Sequence, residues 1–348
     1  MKKFIATILS AMVGLFGYTI VETSIDSRVA DLESRVEYLE SVVEEYHGEV
    51  YIPTTTRPAA TVAPTTRPAE KPTVKPTTTA PSGERYLVDS GYCGDYARWE
   101  FYSDGELIIG GKGAMYEATP GWDKYDDEIK KVVIKDGVTS ICSYAFYKCT
   151  SLTSATIPDS VTSIGWSAFS DCSSLTSVTI PDSVTSIGGG AFSGCTSLTS
   201  VTIGNSVKVI SYSAFSGCTS LTSVTIPDSV TNIDSYAFEG CSSLTSVTIP
   251  DSVTSIEGYA FSDCTSLETA TLGKGVKSIG SQAFYNCTNL KTVTIGANVT
   301  EIGEMAFAGC GNLTDVYYAG TEAQWNAITI GESNARLTDA TIHYNYTA

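Results

Sequence analysis

Cysteine is the residue type in this chain best equipped for chemistry, and eight of the ten cysteines, Cys149, Cys172, Cys195, Cys218, Cys241, Cys264, Cys287 and Cys310, recur every 23 residues. Thiolates bind zinc and attack electrophiles, but zinc sites bring cysteines close together along the chain, as in C-x-x-C. The long regular spacing makes each cysteine a structural slot for a small buried side chain. Stacked copies would place parallel Cβ atoms about 4.8 Å apart, beyond the usual disulfide range of about 3.5–4.5 Å. Free thiols are therefore expected on this ladder, whereas Cys93 and Cys142 lie off it and stay open.

The remaining candidates for chemistry are few. His47 and His343 are the only histidines, so a Ser/His/Asp triad or a histidine-based zinc site would have to be built around one residue. Asp159, Asp182, Asp228 and Asp251 form a partial ladder able to attract Ca²⁺, yet each follows a proline at an ordinary turn position. Gly-rich phosphate loops are missing from the sequence. The expectation is a protein without catalytic residues, cofactor or metal. A formal net charge of -17 sets nucleic acid aside, because duplex binding needs clustered Lys and Arg.

The element that positions these residues is a repeat, V-x-x-I-x-x-x-A-F-x-x-C-x-x-L-x-x-V-x-I, in eight registers from Val138–Ile157 to Val299–Tyr318. L-x-x-V-x-I ends with period two, so Val178 and Ile180 point one way and Ser177 and Thr179 the other, as on a strand. The spacings of three and four in A-F-x-x-C-x-x-L belong to a helical turn. One strand and one short helical segment per 23 residues describe a solenoid whose coils cover one another's apolar faces. Around ten strands would stack, because "KKVVIKDG" adds one before the repeats and Leu337, Ala340 and Ile342 add another after them. "ARWEFYSDGELIIGG" reads as a hairpin through Asp104-Gly105 that covers the first open edge.

Two outward surfaces stand out. The strand-face row Thr156, Thr179, Thr202, Thr225 and Thr248 is either a set of soluble strand formers or a regular hydroxyl array like that of ice-binding solenoids. The second surface is marked by variation. "TSVTIPDSVTSIGGGAFSGC", residues 176–195, recurs almost unchanged except at Gly188, Gly189 and Gly190, and those three places carry an aromatic in five of the eight coils: Tyr144, Trp166, Tyr212, Tyr236 and Tyr259. Tyr and Trp are costly to expose and enriched at binding sites. They either shield the Phe beneath them or form a stripe that contacts protein or glycan.

The N-terminal part is of different material. Lys2 and Lys3 precede the uncharged run Phe4–Val21, about 27 Å long as a helix and just able to cross a bilayer. Residues 1–23 thus read as a membrane anchor with the rest exported, or as a signal peptide that is cleaved. Residues 24–52 carry the heptad seam Ile25, Val29, Leu32, Val36, Leu39 and Val43, with β-branched residues at a, which suits a parallel coiled-coil stalk and a homodimer, although a solitary amphipathic helix would show the same face. Residues 53–83 hold seven of the twelve prolines and read as an extended Pro/Thr-rich linker. Residues 84–131 form the N-terminal capping region, 132–318 the solenoid and 319–348 the C-terminal cap.

These coils resemble the BspA-like leucine-rich repeat proteins of bacterial surfaces, whose repeats read "VTSIGxxAFxxCxxLTSVTIP", and the resemblance extends over about residues 91–346. It implies a mainly β, right-handed leucine-rich-repeat solenoid with short helical turns, placed outside the cell, often linked to adhesion and without catalytic residues. An unidentified extracellular protein or glycan is the partner so implied. The competing expectation is a structural envelope or matrix component with no dedicated ligand.

Overall fold

The computed structural model describes residues 84–116 and 121–347. The anchor, stalk and linker expected for residues 1–83 lie outside the described residues. Among the described residues no helix is long and apolar enough to cross a membrane.

Numbering the coils 1 to 8 from Val138 and Val299 at the two ends, each contributes two parallel strands where the spacing suggested one. In coil 2 the short strand is Ser163–Ile164 and the longer one Ser177–Thr179. Their equivalents pair in strict 23-residue register, as Ile233 with Ile256 and Val178 with Val201. Most apolar residues of both strands, Ile164 and Val178 among them, point inward and are buried, while Ala155, Val209 and Val224 are partly buried.

The expected helical turn is replaced by hydrogen-bonded turns. Within coil 2, Cys172 N donates to Phe169 O at 3.2 Å and Leu175 N to Cys172 O at 3.0 Å, while Phe169 N and Asp171 N donate to Ala191 O and Ser193 O of the next coil, both at 2.7 Å. Two left-handed residues, Ser167 (φ 48°) and Asp171 (φ 59°), turn these amides out of their own coil. An α-helix would direct each amide along its own axis and leave none for the neighbour. Inter-coil bonding therefore wins over local helix, although the apolar spacing is the same for both. Among the described residues helix is confined to the tail, as α1 (Glu322–Trp325) and α2 (Ala335–Thr338), and to one 3-10 turn at Asp123–Tyr125.

A column of phenylalanines forms the spine of the core. Phe146, Phe169, Phe192, Phe215, Phe238, Phe261, Phe284 and Phe307 are fully buried, with successive ring centroids between 4.9 and 5.5 Å apart. The longer strands pair continuously through coil 4 and again from coil 5, whereas the short strands change sheet between coils 3 and 4. Coil 4, which carries Phe215, therefore bridges two offset interruptions.

Both ends are closed by different chemistry. In the N-terminal cap, β1 (Leu87–Tyr92), β2 (Tyr96–Tyr102) and β3 (Glu106–Ala114) are antiparallel in sequence order. The long β3 serves both ladders, pairing Glu106–Ile109 with β4 (Lys131–Ile134) and Gly113–Ala114 with β5 (Val138–Ile141). Trp122 stacks on Phe146 at 5.7 Å and starts the aromatic column. At the other end Ile330 pairs with Ile302 and Ile342 with Val316, so the tail extends both ladders by one strand.

Candidate binding surface

The five aromatics of the variable positions sit just before the Ala-Phe pair, and the local backbone explains which residues are tolerated there. The third variable position is left-handed in all eight coils: Tyr144, Ser167, Gly190, Ser213, Tyr236, Tyr259, Gln282 and Met305 have φ between 48° and 64°. A residue with a Cβ loses about 1–2 kcal/mol in this conformation, so glycine is its natural occupant. Only coil 3 uses it.

Tyr144 is 59% exposed and Trp166 47%, whereas Tyr212, Tyr236 and Tyr259 are half-buried. Tyr236 and Tyr259 stack at 4.7 Å with planes 6° apart, and Tyr212 meets Tyr236 edge-on at 5.4 Å. The gap at coil 3 is filled from its neighbour, since a Cβ on Gly189 would lie 2.6 Å from the Trp166 ring. Glycine at 189 thus makes room for the indole and glycine at 190 accepts the turn. The aromatics form a track along one flank from coil 1 to coil 6.

Thr156, Thr179, Thr202, Thr225 and Thr248 are all exposed, and Thr179, Thr202 and Thr225 stand in direct register. Other threonines serve the backbone: Thr153, Thr162 and Thr199 donate to Lys130 O, Thr139 O and Thr176 O of the preceding coil at 2.9–3.1 Å. The Ser/Thr richness thus has two sources, edge satisfaction and an open strand face.

That face ends in a group the spacing did not single out. Tyr317 occupies the Thr row, stacks on His343 at 4.7 Å and meets the tilted ring of Tyr346 at 4.8 Å, and His343 Nε2 lies 2.7 Å from Asp315 Oδ1. The replacement of Thr by Tyr in the row was its only sequence signal. Exposed tyrosines are also concentrated in the N-terminal cap, where Tyr92 and Tyr96 flank the β1–β2 turn and Tyr116 bonds Asp95. Their exposure depends on the cap's fold and has no periodic signature.

The ladder cysteines are free thiols, fully buried. Cys172 and Cys195 donate to Phe146 O and Phe169 O of the preceding coil, 26 residues back, at 3.1 and 3.2 Å. Burial pushes these thiols up, Cys195 to about 12, so they stay protonated and serve as donors. Asp182 and Asp251 accept from the main-chain N–H of Asn205 and Lys274 at 2.7 Å, which gives those post-proline carboxylates an inter-coil role. Among the described residues no group of three or more His, Cys, Asp or Glu is placed to hold a metal ion.

Coils of 23 residues with two parallel ladders and a buried Phe-Cys-Leu side define a leucine-rich-repeat solenoid. The sequence matches the BspA type leucine rich repeat region over residues 124–245 and 208–334, in six copies. The chain belongs to this BspA-type family. It is similar to a leucine-rich repeat protein from Bacteroides ovatus, with 21% identity, 73% of this chain and 78% of that chain covered and a TM-score of 0.49. The leucine-rich repeat protein of T. pallidum shares 24% identity over 73% of this chain and 97% of its own, with a TM-score of 0.42. A leucine rich cell surface protein from Faecalibacterium prausnitzii shares 27% identity over 68% of this chain and 97% of its own, with a TM-score of 0.28. No curated protein matches the chain.

Proposed function

We propose that the protein is a non-enzymatic bacterial surface module that binds a protein or glycan through the flank carrying Tyr144, Trp166, Tyr212, Tyr236 and Tyr259. The observation that carries this reading is Tyr144, whose ring is 59% exposed at a left-handed position that Gly190 fills two coils later. Both the backbone strain and the exposed ring work against stability, so folding alone does not account for that residue. Membership of the BspA-type family supports a surface role. In this reading residues 1–23 hold the chain in the membrane, residues 24–52 pair it, and the linker carries the solenoid outward.

Glycine substitutions separate binding from folding. Replacing Tyr144, Tyr236 and Tyr259 by Gly relieves three left-handed side chains while removing ring contacts worth about 0.5–1.5 kcal/mol each, so the two effects nearly cancel. Cells displaying the full chain are applied to an array of immobilised glycans and extracellular-matrix proteins. Binding by the parent chain that falls at least tenfold in the triple variant, with an unchanged melting temperature, supports the reading. Equal binding by both assigns the flank no ligand and favours the structural role.

A further inference from the structure

Cys93 and Cys142 are the two cysteines outside the ladder, and both are buried, 3% and 5% exposed. Cys142 occupies the first variable position of coil 1, a slot whose side chains project toward the preceding coil. A Cβ on Gly188 in that slot would meet Gly165 C at 2.6 Å, and Ser211, also in that slot, donates from Oγ to Ile187 O of the coil before at 2.6 Å. Coil 1 has the cap in place of a preceding coil. There β3 pairs Ala114 with Ser140, Met115 N donates to Ser140 O at 3.4 Å, and Tyr116 N donates to Cys93 O at 2.7 Å. One short segment thereby binds both cysteine-bearing stretches, and the slot aims Cys142 at the cap.

We propose that Cys93 and Cys142 form a disulfide that staples the N-terminal cap to the first coil. The ladder thiols differ in kind: they are parallel copies, each donating to a carbonyl of the preceding coil. Cys93 and Cys142, also thiols in this structure, instead come from unrelated elements that bond the same end of β3. Burial, and after it the neighbouring Cys142, push the Cys93 thiol up to about 12, in keeping with their proximity. The two thiols lose their hydrogens as one S–S bond forms, and a disulfide oxidant such as oxidised glutathione takes up both electrons and both protons and splits into two thiols. The link closes a 49-residue loop (142 − 93) across the element that shields both ladders, a position where a cross-link restrains the unfolded chain.

The test is peptide mapping without reduction. Trypsin leaves Cys93 within residues 86–98 and Cys142 within 136–148, one cysteine in each. The full chain is taken from cells that export it and, separately, purified and equilibrated with oxidised glutathione, then alkylated in denaturant. The purified arm stands even if the surface location is wrong. The expected product is the two peptides joined, lighter than their sum by two hydrogens and separated by reductant, while Cys93→Ser yields an alkylated 136–148 peptide. Reductant should also lower the melting temperature of the parent chain by roughly 5 °C and leave Cys142→Ser unmoved. Recovery of both peptides alkylated in the purified arm, or of either attached to glutathione or to a ladder cysteine, overturns the proposal.

Discussion

Phe307 N donates to the Asn334 side-chain oxygen at 3.0 Å, whereas one coil earlier Phe284 N donates to the main-chain oxygen of Ala306 at 2.8 Å. The asparagine amide stands in for the coil that would come next. Its Nδ2 donates to Gly303 O at 2.8 Å and Gly331 O at 2.9 Å, which ties the last coil to the tail. Asn334 is only 4% exposed, so each lost partner is left in a dry site.

Asn334→Leu keeps the volume and removes these bonds. The expected cost is about 2–3 kcal/mol, localised at the C-terminal end. Hydrogen exchange should speed up at Phe307 and neighbouring amides while coils 2 and 3 keep their protection. Uniform acceleration along the solenoid would contradict the capping role.

Phe215→Ala should cost about 3–5 kcal/mol, because Phe215 is fully buried between Phe192 and Phe238 in the bridging coil. Thr225→Ala, on the exposed face of the same coil, should change stability by about 0.5 kcal/mol or less. The comparison is made on urea midpoints. Similar losses in both variants would mean that the inward and outward faces are exchanged.

Tyr318 is fully buried, and its hydroxyl has no hydrogen-bond partner among the described residues. Its coil equivalents are Ile180, Ile203 and Leu272, so only the ring is needed to fill the slot. Tyr318→Phe is expected to raise stability by about 1 kcal/mol, seen as a higher melting temperature. A clear loss would show that the hydroxyl is satisfied.

Stability should fall as pH rises from about 4 to about 6. Burial, reinforced by the nearby Glu257 charge, raises the Asp234 carboxyl from its ordinary 3.8 to about 6, and burial raises Asp126 to about 6 as well. The folded state therefore holds these protons more tightly than the unfolded chain, a contribution complete below pH 3.8 and lost as pH passes 6. Asp89 and Glu106 are lowered through their Lys124 and Lys131 partners and act in the opposite sense, so their stabilisation disappears in stronger acid. Melting temperature measured across this range should peak near pH 4 to 5. Asp234→Asn should flatten the fall by about 1–2 kcal/mol at neutral pH, the full shift being reduced by partial solvation. An unchanged slope in that variant would remove Asp234 as the source.

The sequence by itself determined the 23-residue period, the inward Val, Ile, Ala, Phe, Cys and Leu positions and the thiol state expected of the ladder. This follows from stacking: each side chain faces its own copies, so a single coil contains the environment of all of them. Only the tertiary structure decided where the amides of the Ala-Phe segment go. Spacings of three and four serve a helix or a chain of turns equally well, and the choice fell to hydrogen bonds with the next coil, which no one copy contains. The same limit applies wherever the repetition ends or is broken. Trp166 over Gly189, Asn334 beneath Phe307 and Ala114 beside Ser140 are contacts between unlike residues, and their positions depend on how separate parts of the chain meet.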